Sequence, residues 1–333
     1  MKTMKAVQIR RYKNPEDFAP REVPIPQVNA GNVLVKIKLT GVNPSDLANT
    51  QGAFPDHTTL PRIIGRDFVG KVVEGASELI GKTVMGSGGD IGFTRDGSFA
   101  EYLAIPKNGV VEVPKGLDLT HAATLGVPFL AALGCLNCFP KNLIGKTLLL
   151  IGGTGAVGSA ATVIARKRGA EVVRTVRNLA ELKELSPDLQ KGSFMDLSQN
   201  SDIQAQTKTM MKGKGFDFII NMVGGATFEP ALNSLNVYGQ IACIASPGQQ
   251  RVEFSLLDFY RKNISLFGVN TVLDDSVASA DKLRKLFEEF GANISSLACL
   301  GQMEVMPFHD AKNVLERALA KELRKPVLEI SVD

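Results

Sequence analysis

The stretch KTLLLIGGTGAVGSAATVIARKRGA, residues 146–170, restricts the fold more than any other. A short, wholly apolar run is followed by Gly153, Thr154, Gly155, Ala156, Val157 and Gly158, and then by a helical pattern of small residues. A lone G-x-G-x-x-G is weak, but here it sits between a buried strand and a helix, which is the setting the motif needs. Gly153 permits the tight turn, Gly155 lets backbone approach a pyrophosphate, and Gly158 lets helix and strand pack closely. The helix start then offers unpaired N–H groups and a partial positive charge to a phosphate.

The alternation continues. EVVRTV, FDFIINMVGG, GQIACIAS and ISLFGVN are short apolar runs separated by helical stretches. Such alternation predicts right-handed βαβ units and a parallel sheet covered on both faces. The first 121 residues read differently. MKAVQIR and NVLVKIKL alternate, FVGKVVEG is β-branched, and Gly and Pro punctuate throughout. From Leu119 a helix with small residues is expected, with Thr120 as its N-cap. After Asn270 a helix and the strand-like PVLEI close the chain. The expected organisation is α/β: a β-rich domain at 1–121, a Rossmann doubly wound parallel sheet at 122–270, and a return to the first domain at 271–333.

Which dinucleotide would bind follows from the second strand's end. An NAD site places Asp or Glu about 20 residues beyond the glycines, for the ribose 2′-hydroxyl. This chain has Arg174-Thr175-Val176-Arg177-Asn178, with no carboxylate. Two guanidinium groups suit a 2′-phosphate, so NADPH is the expected cofactor.

Composition removes other classes. The net charge of +4 comes with no aromatic-interleaved basic stripe, so nucleic acid is not an expected partner. No apolar run approaches the ~20 residues of a membrane span, and the N-terminus lacks a signal peptide's apolar core. Four scattered cysteines make no disulfide framework, so a cytoplasmic, reducing setting is expected. Cys135 and Cys138 read as packing residues on one helix face. His57, His121 and His309 read as loop or helix-end residues, and Asp46 as a helix cap. No G-x-S-x-G elbow supports a hydrolase.

The ordered motifs GVNPSD, GRDFVG, DGSFAEY, HAATLGV, GGTGAVG and FGVN resemble the medium-chain dehydrogenase/reductase superfamily over nearly the whole chain. The resemblance implies a GroES-like catalytic domain split around the Rossmann domain. Zinc-dependent members carry Cys, His and Cys where this chain has Asn43, Arg66 and Val127. The lobe that holds a structural zinc falls near Met85–Gly97, which has no Cys. Asn, Arg and Val cannot ligate zinc, so no metal is expected. VNPSD is similar to the zinc-independent branch of NADPH:quinone oxidoreductases and trans-2-enoyl-thioester reductases. That branch implies a small electrophilic substrate and hydride transfer to a polarised double bond. It implies Asn43, Phe54 and Arg66 as catalytic positions, and Thr175, Asn221, Ser246, Val269, Asn270 and Lys325 as further cofactor contacts. It also implies a homodimer, paired through the ISLFGVN strand. Phe54 departs from the pattern, because enoyl reductases place a Tyr there and Phe cannot donate a hydrogen bond. That loss leaves a second expectation open: an NADPH-responsive binding protein with degraded catalysis.

Overall fold

The computed structural model describes residues 2–245 and 248–331. Ser246, one of the expected cofactor contacts, lies outside the described residues. The chain divides into two compact units: residues 1–130, 271–298 and 303–333 form one, and residues 131–270 with 299–302 the other.

In the second unit six parallel strands form one sheet. Their spatial order is Ser193–Asp196, Glu171–Val176, Thr147–Ile151, Phe216–Asn221, Leu235–Cys243 and Ser265–Gly268. The chain therefore winds outward in one direction from the Thr147–Ile151 strand, returns, and winds outward in the other. This is the doubly wound order that opens a crevice at the carboxyl ends of the central strands. Leu148, Leu149, Leu150 and Ile151 are all buried, which is why that strand reads as an unbroken apolar run. Register places Ile151 beside Asn221, so the glycine-rich turn and Asn221 leave the sheet at the same edge.

In the first unit the Asn32–Gly41 strand is central. It pairs antiparallel with Phe68–Glu74, Tyr102–Pro106 and Pro326–Glu329. Val33, Val35 and Ile37 are buried at alternate positions and join Phe68, Val72 and Val84 in the core. Gly70 is required there, because a Cβ would stand 2.2 Å from the Lys36 carbonyl oxygen. The strand runs almost directly into the Pro44–Thr50 helix, which sets the polar stretch Asn43–Asp46 at its end.

Two expectations change. The helix spans Leu119–Leu136, so Thr120 lies inside it. Asp118 takes the capping role instead, its Oδ1 accepting from the His121 N–H at 3.0 Å. Cys138 lies beyond that helix, in a turn closed by its own N–H on the Cys135 carbonyl, so the two thiols do not share a helical face. Burial pushes the Cys135 thiol up to about 12, leaving it inert. By length and composition the same helix could cross a bilayer, yet most of it is buried in the fold.

Candidate active site

The first unit brings Asn43, Arg66 and Val127 together around one carboxylate. Asn43 begins the Pro44–Thr50 helix, and Asp46 reaches back so that its Oδ2 accepts the Asn43 N–H at 2.8 Å. The Asn43 amide Nδ2 donates to Asp67 Oδ2 at 3.0 Å. Asp67 Oδ1 also accepts the Val127 N–H at 2.9 Å. Val127 lies within the Leu119–Leu136 helix, directly before Pro128, which has no N–H of its own. Gly126 lets the carboxylate in, since a Cβ there would stand 2.3 Å from Asp67 Oδ1. The motifs GVNPSD, GRDFVG and HAATLGV thus meet in one hydrogen-bond network.

Arg66 is 2% exposed. Its Nε donates to the Gly88 carbonyl at 2.9 Å, and Nη1 to Ser45 Oγ at 3.3 Å. The guanidinium lies 5.5 Å from the centre of the Phe93 ring. Phe54 packs against that ring in a T-shaped arrangement, centroids 5.2 Å apart, so Phe54 joins the same cluster through its ring. Tyr12, remote in sequence, also reaches this loop. A Cβ on Gly52 would stand 3.3 Å from its ring, and its hydroxyl donates to the Thr58 carbonyl. No short-range pattern could have signalled that contact.

Burial dominates the electrostatics. It raises the Asp46 carboxyl to about 7, against the pull of the Asn43 amide and the Arg66 charge. Asp67 is raised for the same reason, and Arg66 is lowered. Among the described residues, no group of three His, Cys, Asp or Glu side chains is placed to hold a metal ion.

The second unit holds the glycine-rich loop. A Cβ on Gly153 would stand 2.6 Å from the Arg174 Cβ, and one on Gly158 2.6 Å from the Gly152 carbonyl oxygen. Gly155 differs: its nearest protein atom would be 3.5 Å away, so that face of the loop is open. Gly155 is the N-cap of the Ala156–Lys167 helix and offers no capping side chain, which leaves first-turn N–H groups of Ala156 and Val157 for a ligand. The Thr175 hydroxyl closes the turn by accepting the Gly152 N–H at 3.0 Å. Asn221 is fully buried. Its Oδ1 accepts from the N–H groups of Val223 and Gly224, while its Nδ2 has no hydrogen-bond partner. An open glycine at a helix start and an unspent buried donor at the switch point fit a dinucleotide.

Other expected contacts are placed unevenly. Val269 and Asn270 follow the last strand, where the Val269 N–H donates to the Cys243 carbonyl. Lys325 belongs to the first unit, with φ of 48° just before the Pro326–Glu329 strand. Arg174 is placed unlike Arg177. It is fully buried, donates to the Leu189 and Lys191 carbonyls, and lies 4.6 Å from the centre of the Phe194 ring. Burial, then the Arg166 charge, bring it down to about 10. Its Nε and Nη1 have no hydrogen-bond partner. Arg177 is exposed, and its Nε pairs with Glu181 Oε1 at 2.6 Å. Glu181 was not among the expected site residues, because it lies past the strand end, inside the LAELKE segment.

Residues 29–115 match the alcohol dehydrogenase GroES-like domain family, and residues 156–292 the zinc-binding dehydrogenase family. The chain is 36% identical over 295 residues to a zinc-type alcohol dehydrogenase-like protein of Schizosaccharomyces pombe, covering 87% of this chain and 86% of that one. The chain belongs to the medium-chain dehydrogenase/reductase superfamily. A quinone oxidoreductase of Lama guanicoe is 29% identical, with 80% and 79% of the two chains covered. The solved structure of an alcohol dehydrogenase superfamily protein from Novosphingobium aromaticivorans superposes with a TM-score of 0.84 at 23% identity, covering 98% of this chain and all of that one. The fold is therefore a GroES-like domain with a Rossmann domain, and the chain is an oxidoreductase of this superfamily, which uses a nicotinamide cofactor.

Proposed function

We propose that the chain is an NADPH-dependent reductase of polarised double bonds in a quinone, an enone or a 2-enoyl thioester, and that it works without zinc. The observation that carries this reading is the engagement of the three ligand positions. Asn43 donates to Asp67, Val127 presents its backbone to Asp67, and Arg66 brings a permanent cation. A guanidinium repels a metal ion and cannot ligate one.

When bound, the nicotinamide supplies a hydride to the electrophilic carbon. For a conjugated carbonyl, negative charge then grows on the carbonyl oxygen. The chain's own contribution is a fixed field: the Arg66 cation and the Asn43 amide, both held by hydrogen bonds in a buried setting, favour that charge without reorganising. Phe54 offers no proton, so water supplies the one taken up at the neighbouring carbon. Gly153–Gly158 and the Asn221 amide would hold the dinucleotide, with Val269, Asn270 and Lys325 carried over from the resemblance. Arg177 is the residue that would read the 2′-phosphate. Arg177→Ala is expected to weaken NADPH and leave NADH nearly unchanged.

The test is NADPH oxidation against a panel of quinones, enones and 2-enoyl thioesters, with and without a chelator. Turnover on at least one class, indifferent to the chelator, is expected. Asn43→Ala should lower turnover at least tenfold while the NADPH dissociation constant holds. If NADPH binds and no member of the panel turns over, the second reading, a nucleotide-responsive binding protein, takes its place. The observation on its side is Phe54, whose ring is spent on Phe93 and carries no hydroxyl.

The assembly proposed is a homodimer. The Ser265–Gly268 strand is the edge of the six-stranded sheet, and no residue of the neighbouring Leu256–Arg261 helix is buried. Leu256, Leu257, Tyr260 and Leu266 are all exposed there. An open strand edge flanked by apolar side chains matches a second copy of itself across a two-fold axis.

A further inference from the structure

Glu181 carries a charge that the structure keeps from solvent. It lies in the Leu179–Glu184 segment that follows the second strand, and its side chain is 7% exposed. Its Oε2 accepts from the Thr154 hydroxyl at 3.0 Å and from the Arg177 N–H at 3.4 Å. Its Oε1 meets Arg177 Nε at 2.6 Å. Thr154 is the residue between Gly153 and Gly155, so this carboxylate is fastened to the phosphate-binding turn itself. Arg177 has its side chain 80% exposed, so the pair places a buried anion behind an exposed cation.

A buried carboxylate needs charged or hydrogen-bonding partners, and Glu181 has both. The pairing has a second consequence. Arg177 alone would attract a 2′-phosphate as a full positive charge, but coupled to Glu181 the pair is close to neutral. A phosphate arriving at Arg177 also meets the field of the anion behind it, and inside a protein that repulsion is only partly screened. A ribose hydroxyl has the opposite preference, since a carboxylate accepts its hydrogen bond. Sequence spacing hid this residue. The acid that selects a 2′-hydroxyl is sought at the strand end, whereas here the following turn folds back onto Thr154.

We propose that Glu181 is a specificity-determining residue of the adenosine-ribose subsite, which narrows the preference for NADPH and lets the chain accept NADH as well. This rests on the reading that a nicotinamide dinucleotide binds at the glycine-rich loop. Glu181→Gln removes the charge while keeping the size and an acceptor for Thr154.

The experiment is equilibrium binding of NADPH and of NADH, separately, to the full chain and to Glu181→Gln, with no substrate present. The ratio of the NADH to the NADPH dissociation constant is expected to rise about tenfold or more in the variant, because NADPH binds more tightly and NADH does not gain. Both cofactors are titrated on one preparation, so a loss of folded protein cancels in the ratio. Should Glu181→Gln fail to accumulate, Glu181→Met, also uncharged, is held to the same ratio. An unchanged or smaller ratio, with both cofactors still bound by the unaltered chain, overturns the role of Glu181 and leaves the loop reading standing. If the unaltered chain binds neither dinucleotide, the loop reading falls and this inference with it.

Discussion

Asp46 and Asp67 are two buried carboxylates whose charges act on the buried Arg66 guanidinium. Asp46 is raised by burial from 3.8 to about 7. Between those values the unfolded chain has released a proton that the folded chain keeps. Stability therefore falls as pH rises through that window and is unaffected by this group below about pH 4. Asp46→Asn removes the titration, so the variant should gain on the unaltered protein in melting temperature between about pH 4 and pH 7. A difference that stays flat across that range would show that Asp46 is ionised throughout. At Phe54 the proposed chemistry is at stake instead. Phe54→Tyr adds one hydroxyl beside the Phe93 contact, and turnover on enones or enoyl thioesters should rise. A positioned proton donor is worth about 10²–10⁴-fold, of which a transplanted one gives part. Steady-state turnover of the two forms on the same substrate measures the gain.

The Leu119–Leu136 helix shows how an element can be shaped by a neighbour. Pro128 removes one donor from its ladder, and the Val127 N–H is given to Asp67. An interior proline ordinarily costs a helix about 3 kcal/mol. Here a carboxylate packs against the helix beside the proline, and Gly126 supplies the room. A methyl at Gly126 would collide with Asp67 Oδ1 and, at 2.5 Å, with the Ser87 Cβ. Both belong to a packed interior, so neither can swing aside. Gly126→Ala should destabilise the fold by about 1–3 kcal/mol, as overpacking does, visible as a lower urea midpoint. An intrinsic-propensity view predicts the reverse, because alanine is the better helix former. The sign of the midpoint shift decides between them.

For the whole molecule, the organising fact is a chain that leaves a β-rich unit, builds a parallel sheet, and returns at Thr271 to complete the first unit. The return is structural: the Pro326–Glu329 strand pairs with Asn32–Gly41, and the Glu304–Pro307 strand adds to it. The open edge at Ser265–Gly268 bears on assembly. Leu266→Lys places a charge on that edge, a common device against strand pairing. It should shift the protein from dimer to monomer in sedimentation. A monomer before the substitution would sink the homodimer.

The sequence by itself determined the architecture and the glycine-rich turn at the candidate cofactor site. Apolar runs at strand length, the glycines at fixed offsets and the alternation with helices are local signals, and each acts within a few residues of itself. Gly153, Gly155 and Gly158 could be assigned separate duties in the turn for that reason. The absence of thiol and imidazole at Asn43, Arg66 and Val127 was equally legible. The Ser193–Asp196 strand was not, since its four residues contain no apolar run. What only the tertiary structure decided is where the charges go. Arg174 and Arg177 look alike at the end of one strand, yet one is fully buried against the Leu189 and Lys191 carbonyls and the other is exposed. Asp67 joins Asn43 to Val127 across a long loop, and Glu181 folds back to Thr154. Electrostatic and hydrogen-bond energies depend on distance and burial in space, and separation along the chain specifies neither.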